Sequence, residues 1–238
     1  TLIFMAGISA FHVLNPGRLL FALGRRKGEQ VMLPKPDLVG KISVEEAIER
    51  RRTVRSFGSK QIERIDFSQL LYAAQGITEA GGFKRAAPSA GALYPLDVYA
   101  VLGGEGVEGF DAGVYHYVSP GHRIELVVRG DKRSQLAKAS LSQMWIADAP
   151  MSFVVTAEYS RIESKYGHRG RRYAMIEAGH VGQNIFLQAE ALGLKAGIVG
   201  AFEDAHVSKI LGVPEKYVPL LIMPVGYNRN SFGTSVHK

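Results

Sequence analysis

RAAPSAGALYPLDVYAV, residues 85–101, changes character halfway along. Its second half, carried on to Leu102 as LDVYAVL, has the composition and patterning of a β-strand. Its first half, Pro88-Ser89-Ala90-Gly91-Ala92, carries side chains too small to build a core. A loop of Pro, Ser, Ala and Gly lets backbone amides come close to a flat ligand, as a bulkier sequence would not. The plainer alternative is a turn ahead of a strand.

Working outward, Ser43 followed by Glu46 makes an S-x-x-E cap for a helix, VEEAIERRRT (residues 44–53). Asp66 opens a second helix that Gly76 helps to close. GVYHYVS (residues 113–119) and HRIELVV (residues 122–128) read as two more strands, and a helix runs from Asp131 to about Trp145. MSFVVTAE (residues 151–158) is a strand, YSRIESKYGHRGRR (residues 159–172) a polar loop, and Tyr173 to Leu192 a long helix. The apolar LLIMPVG (residues 220–226) is the last strand. Helices alternating with a few strands, one pair of them a hairpin, predict an α+β fold rather than a doubly wound parallel sheet.

The 238 residues allow one large domain or two small ones, and 46% apolar content argues against global disorder. The absence of cysteine excludes disulfides, iron–sulfur ligation and thiol nucleophiles, and fits a reducing, cytoplasmic setting. Lys and Arg outnumber Asp and Glu by 29 to 22, a net charge of +7 that would attract anions such as phosphorylated cofactors, or nucleic acid. LIFMAGISAFHVL (residues 2–14) is apolar but broken by Asn15-Pro16-Gly17 and Arg18. A membrane span needs about 20 apolar residues. Residues 1–24 are therefore read as an amphipathic segment packing on protein, with membrane contact as the alternative. With the proline-containing linker VMLPKPDLVGK they form an N-terminal region, 1–41, ahead of a main domain, 42–238.

Two motif matches fail on context. GEGVEG (residues 104–109) fits a dinucleotide fingerprint, but the next residues read as strand where the fingerprint needs a helix, and Glu105 and Glu108 would repel a phosphate. Glu177 and His180 have the spacing of a di-metal ligand pair, yet no second E-x-x-H occurs, so no metal is expected. The informative cluster is Arg50-Arg51-Arg52-Thr53-Val54-Arg55, at the end of the first helix. It is either a solvated basic face favoured by the helix dipole or a site for phosphate oxygens, which the planar guanidinium suits. Gly197-Ile198-Val199-Gly200-Ala201 is another small-residue stretch able to expose backbone to a ring.

RRTVRSF, APSAGALYP, EAGHVGQNIFLQAEALGL leading into GIVGAF, and a closing PVGY, in this order over residues 42–227, resemble the nitroreductase-like flavoprotein family. Within it the chain looks most like the SagB-type dehydrogenases, some of which oxidise azolines in peptides. The resemblance implies an α+β fold with a central, mostly antiparallel sheet flanked by helices, in an intertwined homodimer holding FMN at its interface. Arg51, Arg52, Thr53 and Arg55 would meet the FMN phosphate and ribityl chain, and Pro88, Ser89 and Ala90 would reach the flavin from the opposite subunit. Ala92 and Tyr94 stand where amides are common in the family, leaving backbone or Gln183 to serve the pyrimidine edge. Ile198, Val199 and Gly200 would lie along the ring, and Arg229, with Lys238 as the fallback, is the C-terminal basic residue.

Lys165-Tyr166 matches a pair associated with the azoline-oxidising relatives; one of the two would remove a proton while a hydride leaves for flavin N5. The alternative is a solvated surface loop. The function expected is thus an FMN-dependent oxidoreductase. It would either use NAD(P)H to reduce nitro or quinone acceptors or dehydrogenate a small molecule or peptide. A basic nucleic-acid-binding protein and a non-catalytic flavin binder are the competing readings; no nucleic-acid-binding motif is present.

Overall fold

The structure, a computed structural model, describes residues 26–229; the apolar run at 1–24 and Lys238 lie outside the described residues. Seven strands make one sheet in the order β1-β4-β3-β2-β5-β7-β6, every neighbouring pair antiparallel. They are β1 (Gln30–Met32), β2 (Leu96–Leu102), β3 (Gly113–Val118), β4 (Arg123–Arg129), β5 (Met151–Glu158), β6 (Lys195–Ala196) and β7 (Tyr217–Gly226). The helices are α1 (Val44–Arg50), α2 (Arg64–Gln75), α3 (Arg133–Ala139), α4 (Trp145–Asp148), α5 (Ser160–Tyr166), α6 (Arg169–Ala191) and α7 (Asp204–Leu211). The α+β expectation and the antiparallel sheet hold.

Both faces of the sheet are covered. Val98, Ala100 and Leu102 of β2 pack toward α2 and α6, beside Phe67, Leu70, Leu71, Ala174 and Val181. The alternate residues Tyr99 and Val101 join Leu136, Ile146, Val207 and Leu211 on the other face. The period of two along a pleated strand sends successive side chains to opposite layers. β5, buried on both faces as far as Ala157, lies inside the sheet between β2 and β7 and reads as a mostly apolar run for that reason.

Several local expectations are corrected. Ser43 Oγ accepts the Glu46 N–H at 3.1 Å as the cap predicts, but the helix stops at Arg50, and Arg51 to Arg55 run on in non-helical conformation. The helix expected to reach Trp145 ends at Ala139, where Leu141 and Ser142 take positive φ, and a separate turn, α4, carries Trp145. Residues 159–172 are mostly helix, not loop: α5 and the start of α6 meet at Gly167. β1 overlaps the start of the stretch read as linker, and the sequence reading contains no counterpart of α7. GEGVEG leads into strand β3.

A buried relay pins the β1 corner. Ser68 Oγ donates to Pro34 O at 2.7 Å, so it accepts from His122 Nε2 at 2.7 Å, and His122 Nδ1 then accepts the Tyr117 hydroxyl at 2.8 Å. Burial, the largest cause, lowers the His122 pKa from its ordinary 6.5, against a smaller opposing effect from the Pro34 backbone. The unfolded chain therefore takes up this proton first, and the contribution is complete above about pH 6.5 and lost as the pH falls below it. Urea unfolding at pH 7.5 and 5.5 should show the stability of wild type relative to H122Q falling across that interval. H122Q should be less stable at pH 7.5 by about 1–3 kcal/mol and lack this part of the slope.

Candidate active site

The run Arg51 to Arg55 lies along the outer edge of β6. Thr53 forms a parallel bridge with Ala196, and Val54 N–H donates to Ala196 O at 2.9 Å. Extended backbone turns alternate side chains to the same side, which groups Arg51, Thr53 and Arg55 against Val54. Aromatic rings seat both guanidiniums: Arg51 Cζ is 5.2 Å from the centre of Phe186 on α6, and Arg55 Cζ is 5.7 Å from Trp145 on α4. Among the described residues no carboxylate pairs with either arginine. Arg52 is the exception, since its Nη1 turns back to the carbonyls of Glu49 and Arg51 and closes α1.

Beside these arginines runs the small-residue segment after β6. Val199 is held to Ile222 by two backbone hydrogen bonds and buries its side chain in the core. Ile198, half-buried, and Gly200, exposed, are left toward the edge. Gly197 is required by close approach: a Cβ there would stand 2.7 Å from both the Val54 carbonyl oxygen and the Trp145 ring. A Cβ at Gly200 would meet nothing within 4 Å, so backbone is open there. Gln183 is exposed on α6, one turn before Phe186. Arg229 joins the group through Phe57 O, to which its Nε donates at 3.1 Å, and it pairs with Asp148 at 2.9 Å. Phe57, Lys60, Asp148 and Arg229 border an open cavity of about 560 Å³.

A second group forms at the other end of the strands. Ala90 to Ala92 make a single 3-10 turn in which Gly91 has φ +64°, and Ala92 and Tyr94 also take positive φ, at 54° and 46°. Pro88, Gly91 and Ala92 are exposed, while Ser89 and Ala90 are half-buried. Lys165 and Tyr166, at the end of α5, lie directly on this turn. A Cβ on Gly91 would be 2.8 Å from the Tyr166 hydroxyl and 3.1 Å from Lys165 Nζ. Lys165 Nζ is 5.5 Å from the centre of the Tyr166 ring, which itself packs edge-on against Tyr173. Glu177 and His180 part company, one buried and the other exposed. Among the described residues no group of three or more His, Cys, Asp or Glu could hold a metal ion.

Pairing registers separate the two groups. Ala196 is level with Val225 and Met151, whereas Leu96, just after the turn, is level with Ala157. Those positions lie six residues apart along β5, roughly 20 Å at 3.4 Å per residue. Sequence reasoning missed Trp145, Phe186 and Asp148, which seat the arginines. That the chain holds a single tryptophan was the available signal for the first; the others had none.

The α+β architecture is one shared with a family of oxidoreductases. Residues 48–227 match the Nitroreductase family, and the chain belongs to that family. It is 41% identical over 199 residues to a nitroreductase-like protein of Methanocaldococcus jannaschii, covering 84% of this chain and 98% of that one. It is 30% identical over 158 residues to the microcin B17-processing protein McbC of Escherichia coli, covering 65% of this chain and 58% of McbC. Such processing proteins are the SagB-type members of the family. In fold, a nitroreductase-like structure from Ralstonia eutropha superposes with a TM-score of 0.73 at 25% identity, over 84% of this chain and 89% of that one. The E. coli microcin synthetase McbBCD complex gives 0.67 at 24%, over 92% of this chain and 84% of the other.

The Gly197 contact supplies a test. G197A should lower stability by about 1–3 kcal/mol in urea unfolding, because a carbonyl and a packed indole must give way. G104A, where an added Cβ meets nothing within 4 Å, should stay within about 0.5 kcal/mol of wild type.

Proposed function

We propose that the protein is an FMN-dependent oxidoreductase whose site is composed across two copies of the chain. One copy would supply the arginine edge and the other the Pro88–Tyr94 turn with Lys165 and Tyr166. The observation that carries the reading is the pair of guanidiniums, Arg51 and Arg55, seated on aromatic rings without a carboxylate partner among the described residues, beside the open backbone at Gly200. Cations held this way fit a phosphate tail, and open main chain fits the face or edge of a flat ring. The roughly 20 Å between the groups along the strands favours one group from each subunit. Exposed Val44 and Ile48 on α1 and Met175 and Ile176 on α6 supply apolar surface for such a dimer.

When bound, the flavin supplies hydride acceptance and donation at N5. The chain's own work is to place and to protonate. Arg51, Thr53 and Arg55 would hold the phosphate and ribityl end, with Arg229 in support. Ile198 and Gly200 would line the ring, with Val199 acting through its backbone and Gln183 near the polar edge. Pro88, Ser89, Ala90 and Ala92 would close the opposite face. Lys165 Nζ or Tyr166 Oη would take the proton from a substrate carbon. The placement of that pair on Gly91, with the similarity to McbC, favours dehydrogenation of a small molecule or peptide. The similarity to the M. jannaschii protein keeps NAD(P)H-driven reduction of nitro or quinone acceptors as the second activity to assay.

Purified protein should be yellow and release FMN, not FAD, on denaturation. R51A/R55A should keep its circular dichroism and lose the visible spectrum; stoichiometric flavin in that variant would remove the phosphate site. K165A should lower a dehydrogenation kcat by about 10²–10⁴-fold while leaving NAD(P)H–quinone turnover within a few-fold. Equal turnover of every substrate would remove the base.

A further inference from the structure

Glu177, on α6, is 1% exposed and has no part in the site described above. Its side chain lies beneath the Pro88–Tyr94 turn. Gln75 Nε2, from α2, donates to its Oε1 at 3.3 Å, and Ser89 lies near enough to the same carboxyl to favour its ionisation. Gln75 Oε1 in turn accepts from Arg85 Nη1 at 3.3 Å. Arg85 lays its guanidinium 4.3 Å from the centre of the Tyr94 ring, and its backbone N–H donates to the Tyr94 hydroxyl at 3.1 Å. The Tyr94 hydroxyl donates to Phe83 O at 2.7 Å. Finally Tyr94 N–H donates to Ser89 Oγ at 3.0 Å. The chain of contacts Glu177–Gln75–Arg85–Tyr94–Ser89 ties the loop to two helices.

This chain of contacts accompanies unfavourable backbone. Ala92 and Tyr94 are L-residues in the left-handed region, a conformation that persists only where the surroundings over-determine it. A buried carboxyl is also a costly way to fill space: among the described residues Glu177 Oε2 and Arg85 Nε have no hydrogen-bond partner. An apolar side chain would pack without that cost but could not hold Gln75. We infer that Glu177 is the positioning residue of this loop: through Gln75 it anchors Arg85, and through Arg85 and Tyr94 it holds Ser89, so that the turn keeps its shape with Gly91 against Lys165 and Tyr166. The inference rests on the proposed function in taking this turn to face a flavin, but the turn's shape can be measured without one.

Titration makes the tether readable. Burial raises Glu177 to about 7, against Ser89, Gln75 and the charge of Arg85, which all favour ionisation. An opened loop would return the carboxyl to water and to its ordinary range. Closure is therefore favoured below about pH 7 and weakens as the pH rises through it.

Hydrogen exchange over residues 88–94 of the full-length, flavin-free protein, corrected for intrinsic rates, is the test. Wild-type protection should fall about tenfold between pH 6 and pH 8. E177Q, which can still pair with Gln75 but cannot ionise, should be protected at both pH values. E177A should lose about fivefold or more at both. A wild-type loop indifferent to pH, E177Q following the wild-type slope, or E177A as protected as wild type would each overturn the inference. If E177A does not fold, the wild-type slope and E177Q still decide. Titration of wild type with FMN at pH 6 separates the two ideas. Absent FMN binding with the expected exchange behaviour removes the flavin reading alone. Tight FMN binding with a pH-indifferent loop removes the role of Glu177 alone.

Discussion

A single backbone hydrogen bond, from Val54 N–H to Ala196 O, sets the position of the arginine-bearing segment. Strand β6 has only two residues and would otherwise leave the edge of the sheet bare on that side. By running alongside it, residues 51–55 become an outer edge whose alternate side chains point together. Had α1 continued through Thr53, as helical periodicity suggested, Arg51, Thr53 and Arg55 would have fanned over more than half a turn. Terminating the helix at Arg50 is thus what turns a basic sequence into a basic site, and Arg52, spent on the last carbonyls of that helix, is how the termination is secured.

The same edge explains the company the arginines keep. A guanidinium in water gains little from an isolated surface carboxylate, and one that must accept an anion is better held by something that does not neutralise it. Phe186 and Trp145 do this, seating Arg51 and Arg55 by their ring faces while leaving the charges available. Trp145 has three duties at once: it stacks on Phe57, supports Arg55 and occupies the space that a side chain at Gly197 would need. The glycine, the indole and the arginine therefore form one packing unit. By contrast Arg133, Arg161 and Arg171 are all paired with carboxylates. The net positive charge is not spread evenly in effect.

How much of this could be read from the sequence depended on whether local patterning or tertiary contact decided the outcome. The strands LDVYAVL, GVYHYV and MSFVVTAE announced themselves because apolar alternation or continuous apolarity reflects burial directly. Ser43 predicted its cap because capping is local. Residues 159–172 were misjudged because nothing local marks them as helical. α5 is anchored from outside, by Arg161 pairing with Asp97 on β2, and joined to α6 by Arg171 pairing with Glu163. The end of α3 was likewise invisible, since Leu141 and Ser142 take left-handed conformations that their residue types do not advertise. The candidate site divides the same way. The small residues and the arginines were legible as types, whereas their aromatic seats and the carboxyl under Ser89 come together only through folding.

A composite site also gives the strained turn a reason. In a loop that touched only its own chain, positive φ at Ala92 and Tyr94 could be relieved by substituting glycine, at no loss to the core. A surface offered to a partner's ligand has to be correct before the ligand arrives, because the energy of association is otherwise spent on ordering it. Rigid anchoring through Ser89, Arg85 and Tyr94 meets that demand from within one subunit. In a twofold dimer each chain would then use both of its ends, giving with its turn what it takes with its arginines. On the proposed assembly, strain in one chain is offset by binding in a site it shares with the other. Without such an assembly only the contacts through Gln75, Arg85 and Tyr94 would offset it, which is why the shape of the isolated loop bears on the architecture as a whole.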